Sequence, residues 1–159
     1  MALFGVAEAA FSSRIAFIPA PHLQHLQARD FLVLHAGTML VAFGAFGVSF
    51  AGAGALLMRQ VTGVAGWWPS KRILEEITDR AVLLGFPFYT LGLAAGSFWM
   101  NSLWGKYWDW DPKASSALAA WLIYAVYLHA RNLGRWRNVR APLLVIAGFA
   151  TVMFGYFGM

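Results

Sequence analysis

Two histidines and one aromatic run are the side chains of this 159-residue chain best suited to chemistry. His35 lies one turn inside a long apolar stretch, and His129 lies at the far end of another, two residues before Arg131. A neutral imidazole is an axial ligand of haem iron, and an ionisable residue at membrane depth is a functional candidate by default. A hydrogen-bonded or interfacial side chain is the alternative for each. The 17 residues from Pro112 to His129 cover roughly 25 Å of helix. His35 and His129 are therefore expected near opposite membrane faces, as parts of two separate sites. His22 and His25, three apart, could share a helical face, but a solvated loop is the expected setting.

The aromatic run is Trp104-Gly105-Lys106-Tyr107-Trp108-Asp109-Trp110-Asp111-Pro112-Lys113, which packs three of the chain's eight tryptophans into seven residues. Single tryptophans anchor a helix at the membrane–water boundary, and a structural aromatic belt would account for some clusters. This density, with two aspartates interleaved, predicts a wide aromatic floor at the membrane surface, suited to a flat apolar ligand such as a porphyrin. Asp111-Pro112 is also a helix start signal, with Asp as N-cap and Pro at the first helical position.

These residues must be held by membrane helices. The chain is 60% hydrophobic and 12% charged, with a mean hydropathy of +0.59, whereas soluble domains carry about 25% charge. Four stretches approach the ~20 apolar residues of a span: about Phe31–Leu57, Val82–Met100, Ala114–Leu128 (extendable to Lys113–Ala130) and Ala141–Phe157. The expected fold is all-α, a polytopic membrane protein with about four transmembrane helices and an external tryptophan-rich loop. Residues 1–30 are expected as an external N-terminal segment. Met1–Phe11 is apolar but lacks a basic n-region and contains Glu8, so it is not read as a signal peptide.

Eight basic residues (Arg59, Lys71, Arg72, Arg80, Arg131, Arg135, Arg137, Arg140) lie on one side of this topology. Four (Arg14, Arg29, Lys106, Lys113) lie on the other. The positive-inside rule then puts the termini and the tryptophan loop outside, and the net charge of +5 reflects topology rather than nucleic acid. The absence of cysteine excludes disulfides, thiolate metal sites and a thiol nucleophile within the chain. Trp67-Trp68-Pro69-Ser70 reads as an interfacial turn, with Ser70 capping a short amphipathic helix from Lys71 that carries Ile73, Leu74 and Ile77 on one face. Gly92 and Gly96, four apart, form a small-residue face for close helix packing.

Taken in order, several segments resemble the CcsA (ResC) family of system II cytochrome c haem-attachment proteins. Gly85-Phe86-Pro87 with Thr90-Leu91-Gly92, the run Trp104–Lys113 (the family's "WWD" signature), Trp121–Tyr124 and Tyr127-Leu128-His129-Ala130-Arg131 carry the likeness. Gly148-Phe149, Phe154–Gly158 and, upstream, His35–Met39 extend it, so that it covers roughly residues 19–159. The resemblance implies a CcsA-like haem-handling domain over residues 31–159, in a plasma or thylakoid-type energy-transducing membrane. It implies His35 as an external axial ligand, and Trp104, Trp108, Trp110 and Asp111 holding the edge of haem b. His129 would be an inner ligand shared with a CcsB (ResB)-type partner. The implied activity is presentation of haem for attachment to the CxxCH thiols of apocytochrome c, as a component of a haem lyase. The alternative is a haem-binding or structural subunit of a membrane electron-transfer complex. The chain departs from the family at Ala114-Ser115-Ser116, where Glu-Thr-Trp is usual, and at Phe43, where a tyrosine is usual. It also ends before the family's second external histidine, so another chain is expected to complete that site, or else attachment chemistry has been lost.

Overall fold

The computed structural model describes residues 21–63, 69–132 and 140–158, with side chains from Ala28 onward except that of Asn132. Trp67, Trp68, Arg135, Arg137, the first twenty residues and Met159 lie outside the described residues. Four helices follow in order: α1 Pro21–Thr62, α2 Lys71–Trp104, α3 Pro112–Asn132 and α4 Arg140–Phe157, with no strand among the described residues. The chain is an all-α polytopic membrane protein. α1 (from Ala28), α2 and α4 are long and apolar enough to cross a bilayer by length and composition. At 21 residues, α3 reaches roughly 31 Å, about the thickness of a bilayer's hydrocarbon core. Lys113, Ser115, Ser116, His129 and Arg131 dilute its apolar content.

α1 and α2 run well past their apolar stretches, whereas α3 and α4 nearly coincide with theirs. α1 is 42 residues long and starts at Pro21, whose fixed φ suits the first helical position. It is continuous across the expected boundary at residue 31 and takes in the backbone of His22 and His25, correcting the expectation of a loop there. α2 begins after Ser70, whose hydroxyl accepts the Ile73 amide at 3.4 Å. The cap is therefore where the sequence places it, but the short interfacial helix is not. No glycine or proline interrupts α2 between Lys71 and Gly85, and the helix carries on through Gly85 and Pro87 to Trp104. Its first turns pack inward on α1: Leu74 and Thr78 are buried, while Ile73 and Ile77 face out.

α1 and α2 form the closest pair, antiparallel, with small residues at each level. Gly52 meets Thr78, Gly85 meets Phe46, Gly92 meets Thr38 and Met39, and Gly96 meets His35. In lipid, such close approach replaces the hydrophobic drive as the source of helix association. A core of Met39, Ala42, Phe46, Val82, Tyr89, Tyr124, Tyr127 and Val145 joins the four helices. The Phe46 and Tyr124 rings stack within it, centroids 3.8 Å apart. α3 and α4 also approach closely where Ser116 fills the space beside Gly155 and Tyr124 lies on Gly148. The small residues at 114–116 suit that contact.

Candidate functional site

One end of the bundle carries His35 and the aromatic run. α2 ends at Gly105, which adopts φ 67° and returns its amide to Asn101 O at 2.9 Å. This left-handed closing turn suits a residue without Cβ. The chain crosses through residues 106–111, with Lys106 and Asp109 3.8 Å apart. α3 then starts as the sequence predicts: Asp111 Oδ1 accepts the Ala114 amide at 2.6 Å, and Pro112 is the first helical residue. A capping carboxylate satisfies an amide that the helix itself cannot, so Asp111 has a structural task at this site.

The tryptophans do not form one flat floor. Trp108 and Trp110 meet edge-to-face, centroids 6.0 Å apart and planes at 74°. Trp104 pairs with Trp99 of α2 at 5.5 Å and 78°. The ring quadrupole favours such edge contacts over coplanar arrays. What the loop offers is two exposed rings, Trp104 at 60% and Trp110 at 75% exposure, standing on two propped partners. The Trp108 indole nitrogen is buried without a hydrogen-bond partner among the described residues. Beneath the loop, Phe98 stacks on Phe31 and meets Tyr107 edge-on. Phe43 packs against Tyr89 and Tyr156. Lys113 lies 5.8 Å from the centre of the Tyr156 ring.

His35 is half-buried at this end of the α1–α2 seam. Its Nδ1 donates to the Gly92 carbonyl at 2.8 Å. A carbonyl can only accept, so the Nδ1 carries the proton, and in the neutral ring Nε2 keeps its lone pair. Metal-ligating histidines are oriented in this way, by a carbonyl or carboxylate on the other ring nitrogen. The glycines at 92 and 96 make the seat, since a Cβ on Gly96 would lie 2.8 Å from Nδ1.

His129 lies at the opposite end and faces outward, exposed in line with Leu122 and Val126. The two histidines thus sit at opposite ends of the bundle. Arg131, two residues on, is not on the same side. It forms an ion pair with Asp79 of α2, whose other carboxylate oxygen accepts from the Tyr127 hydroxyl. An arginine two residues from the histidine reads in sequence as a propionate partner. In the fold it is directed inward to Asp79 instead. Sequence reasoning missed Asp79, whose partners stand 48 and 52 residues away. Its one signal was a carboxylate in a stretch otherwise poor in acid after Glu76. Among the described residues, no group of three His, Asp or Glu side chains converges on a common point.

The model of the family described as "Cytochrome C assembly protein" matches residues 1–159. The chain belongs to that family. It is 41% identical over 112 residues to a cytochrome c biogenesis protein CcsA of Microcystis aeruginosa, covering 68% of this chain and 34% of that protein. The CcsA of Trichodesmium erythraeum is 46% identical over 88 residues, 55% of this chain and 25% of the relative. That of Chlamydomonas reinhardtii is 42% identical over 86 residues, 54% and 24% respectively. The matched segments thus span about a quarter to a third of the length of these relatives. No solved structure matches the chain.

Proposed function

We propose that this chain handles haem b during cytochrome c assembly, holding it at the outer membrane face for attachment to the CxxCH thiols of apocytochrome c. The observation that carries the reading is the His35–Gly92 hydrogen bond beside the tryptophan loop. It fixes the tautomer and leaves Nε2 as the donor that haem iron takes. Trp104, Trp108 and Trp110 supply aromatic faces and edges for the macrocycle, with Asp111 setting where the loop ends. His129 is the inner ligand. Its outward position, continuous with the exposed apolar side chains of Leu122 and Val126, suits a partner helix of the CcsB type that brings a second ligand. Residues 31–159 form the haem-handling domain in this reading.

Haem, as substrate, brings two vinyl groups, each able to take up one cysteine thiol: the C–S bond forms, the S–H bond breaks, and the hydrogen passes to the other vinyl carbon. The protein needs no acid–base side chain for this if it holds the reactants in place, because effective-concentration gains are large. The cargo carries the chemistry and the protein the geometry.

The test is the absorption spectrum of the protein purified with its native membrane partners. His35→Gly should lose the outer-site haem signal and holocytochrome yield, and added imidazole should restore part of both by filling the vacated coordination position. His129→Ala should lower the remaining haem. Unchanged haem and cytochrome c in both variants, with normal protein levels, would refute the proposal. Orientation is tested on the cysteine-free background. A single cysteine at position 106 should react with an impermeant thiol reagent in intact cells, and one at position 140 should not.

A further inference from the structure

α2 and α3 are joined by side chains at three levels rather than by close backbone contact. Near the tryptophan end, Tyr89 donates its hydroxyl to the Ala117 carbonyl at 3.1 Å. At mid-height, Trp121 Nε1 donates to Thr90 Oγ1 at 2.9 Å, and its ring lies against Phe86. At the far end, Asp79 receives Tyr127 on one oxygen and Arg131 on the other. Tyr127 and Arg131 are four apart, so they stand one above the other on a single helix face. Ala120 and Tyr124, both fully buried, continue that face. His129 falls between them in sequence and so projects from the opposite side.

We propose that Asp79 is a positioning residue. By gripping Tyr127 and Arg131 together, it fixes the rotation of the last turn of α3 and so the direction in which His129 is presented. The inference deepens the reading of His129 as a haem ligand and, for its functional arm, rests on it. One carboxylate held at two points a helical turn apart resists rotation as a single tie cannot. The far end of α3 is suited to such a grip, since its outward residues Leu122 and Val126 stay about half exposed among the described residues. A largely buried ion pair gives modest net stability, and fixing register or orientation is its best-attested use. Arg131 and Asp79 keep only 19% and 25% of their side-chain surface exposed.

The experiment uses the full chain in nanodiscs with its native partners. Spin labels at V126C and L84C report the rotation of α3 against α2 as a distance distribution. Haem per folded protein and the low-spin iron signal, read in the His35→Gly background, report ligation by His129, on unlabelled protein. Asp79→Asn should broaden the distance distribution and lower low-spin haem several-fold at unchanged protein level, and Asp79→Glu should restore much of both. If Asp79→Asn does not accumulate, the double variant D79N/R131Q leaves no lone charge buried and should give the same broadening and haem loss. A distribution as narrow as the parent's in the neutral variants overturns the proposal. So does a broadened distribution with undiminished low-spin haem. If the parent itself carries no His129-dependent haem, the ligand reading fails, and the grip on α3 is then decided by the distance distribution alone.

Discussion

Gly96→Ala is the sharpest test of the His35 seat. The new methyl carbon would lie 2.8 Å from His35 Nδ1, closer than side chains sustain, and a tight 3.0 Å from Cε1, so the imidazole must swing away from Gly96 and off the Gly92 carbonyl. That forfeits one side chain–backbone hydrogen bond, about 0.5–1.5 kcal/mol, and adds overpacking of about 1–3 kcal/mol. The helix regains about 1 kcal/mol through the better propensity of alanine. The balance is a loss of about 2 kcal/mol. Gly37 and Gly44 in α1 are the controls, because nothing lies within 4 Å of a Cβ at either position, and alanine there should be neutral or stabilising by up to about 1 kcal/mol. Equilibrium unfolding in mixed micelles should therefore separate Gly96→Ala from Gly37→Ala by about 2–3 kcal/mol, and removing the imidazole by His35→Ala should relieve most of the clash in the double variant. Equal stabilities for the Gly96 and Gly37 variants, or a double variant as damaged as the two single losses combined, would refute the packing argument. Haem retention should follow the same order, with Gly96→Ala impaired and Gly37→Ala unaffected.

Asp111→Ala should cost about 1 kcal/mol of thermal stability through the lost cap. Ser70→Ala should cost less, because its contact is 3.4 Å against 2.6 Å for Asp111; a reversed order in melting temperature would contradict the assignment. Replacing Trp104, Trp108 and Trp110 together by alanine should leave membrane insertion intact but reduce outer-site haem and holocytochrome yield, each ring contributing on the order of 1 kcal/mol beyond its buried area. Failure of that variant to accumulate, with His35→Gly silent, would instead mark the loop as scaffold. Gly155→Ala should destabilise the α3–α4 pair by about 1–3 kcal/mol, since the added methyl would occupy the place of Ser116; a melting temperature no lower than that of Gly54→Ala, where nothing lies within 4 Å of an added Cβ, would contradict it.

Much of the frame is legible in the residues themselves. Apolar length gives the helical, membrane-spanning class, and Ser70 and Asp111-Pro112 mark helix starts that the structure keeps. The 1.5 Å rise per residue separates His35 from His129 without any tertiary knowledge. These signals are local: caps and helical hydrogen bonds reach three or four residues along the chain. Extent was less legible, because polar turns at Pro21–Asp30 and Lys71–Ala81 continue helices that hydropathy alone cuts short.

Only the tertiary structure decided which side of each helix faces its neighbours. In a membrane, lipid-facing positions are as apolar as buried ones, so the pattern that distinguishes inside from outside in a soluble helix is faint. A spacing of two puts His129 and Arg131 on opposite sides of α3, but nothing in the sequence says which of them turns in, to Asp79 52 residues away. The same holds for Trp104, which pairs with Trp99 rather than with the other tryptophans of its own loop, and for the Gly92 carbonyl that orients His35 across 57 residues. Helix register and rotation bring these partners together, and both are settled by side-chain fit between helices rather than by any one helix's own sequence.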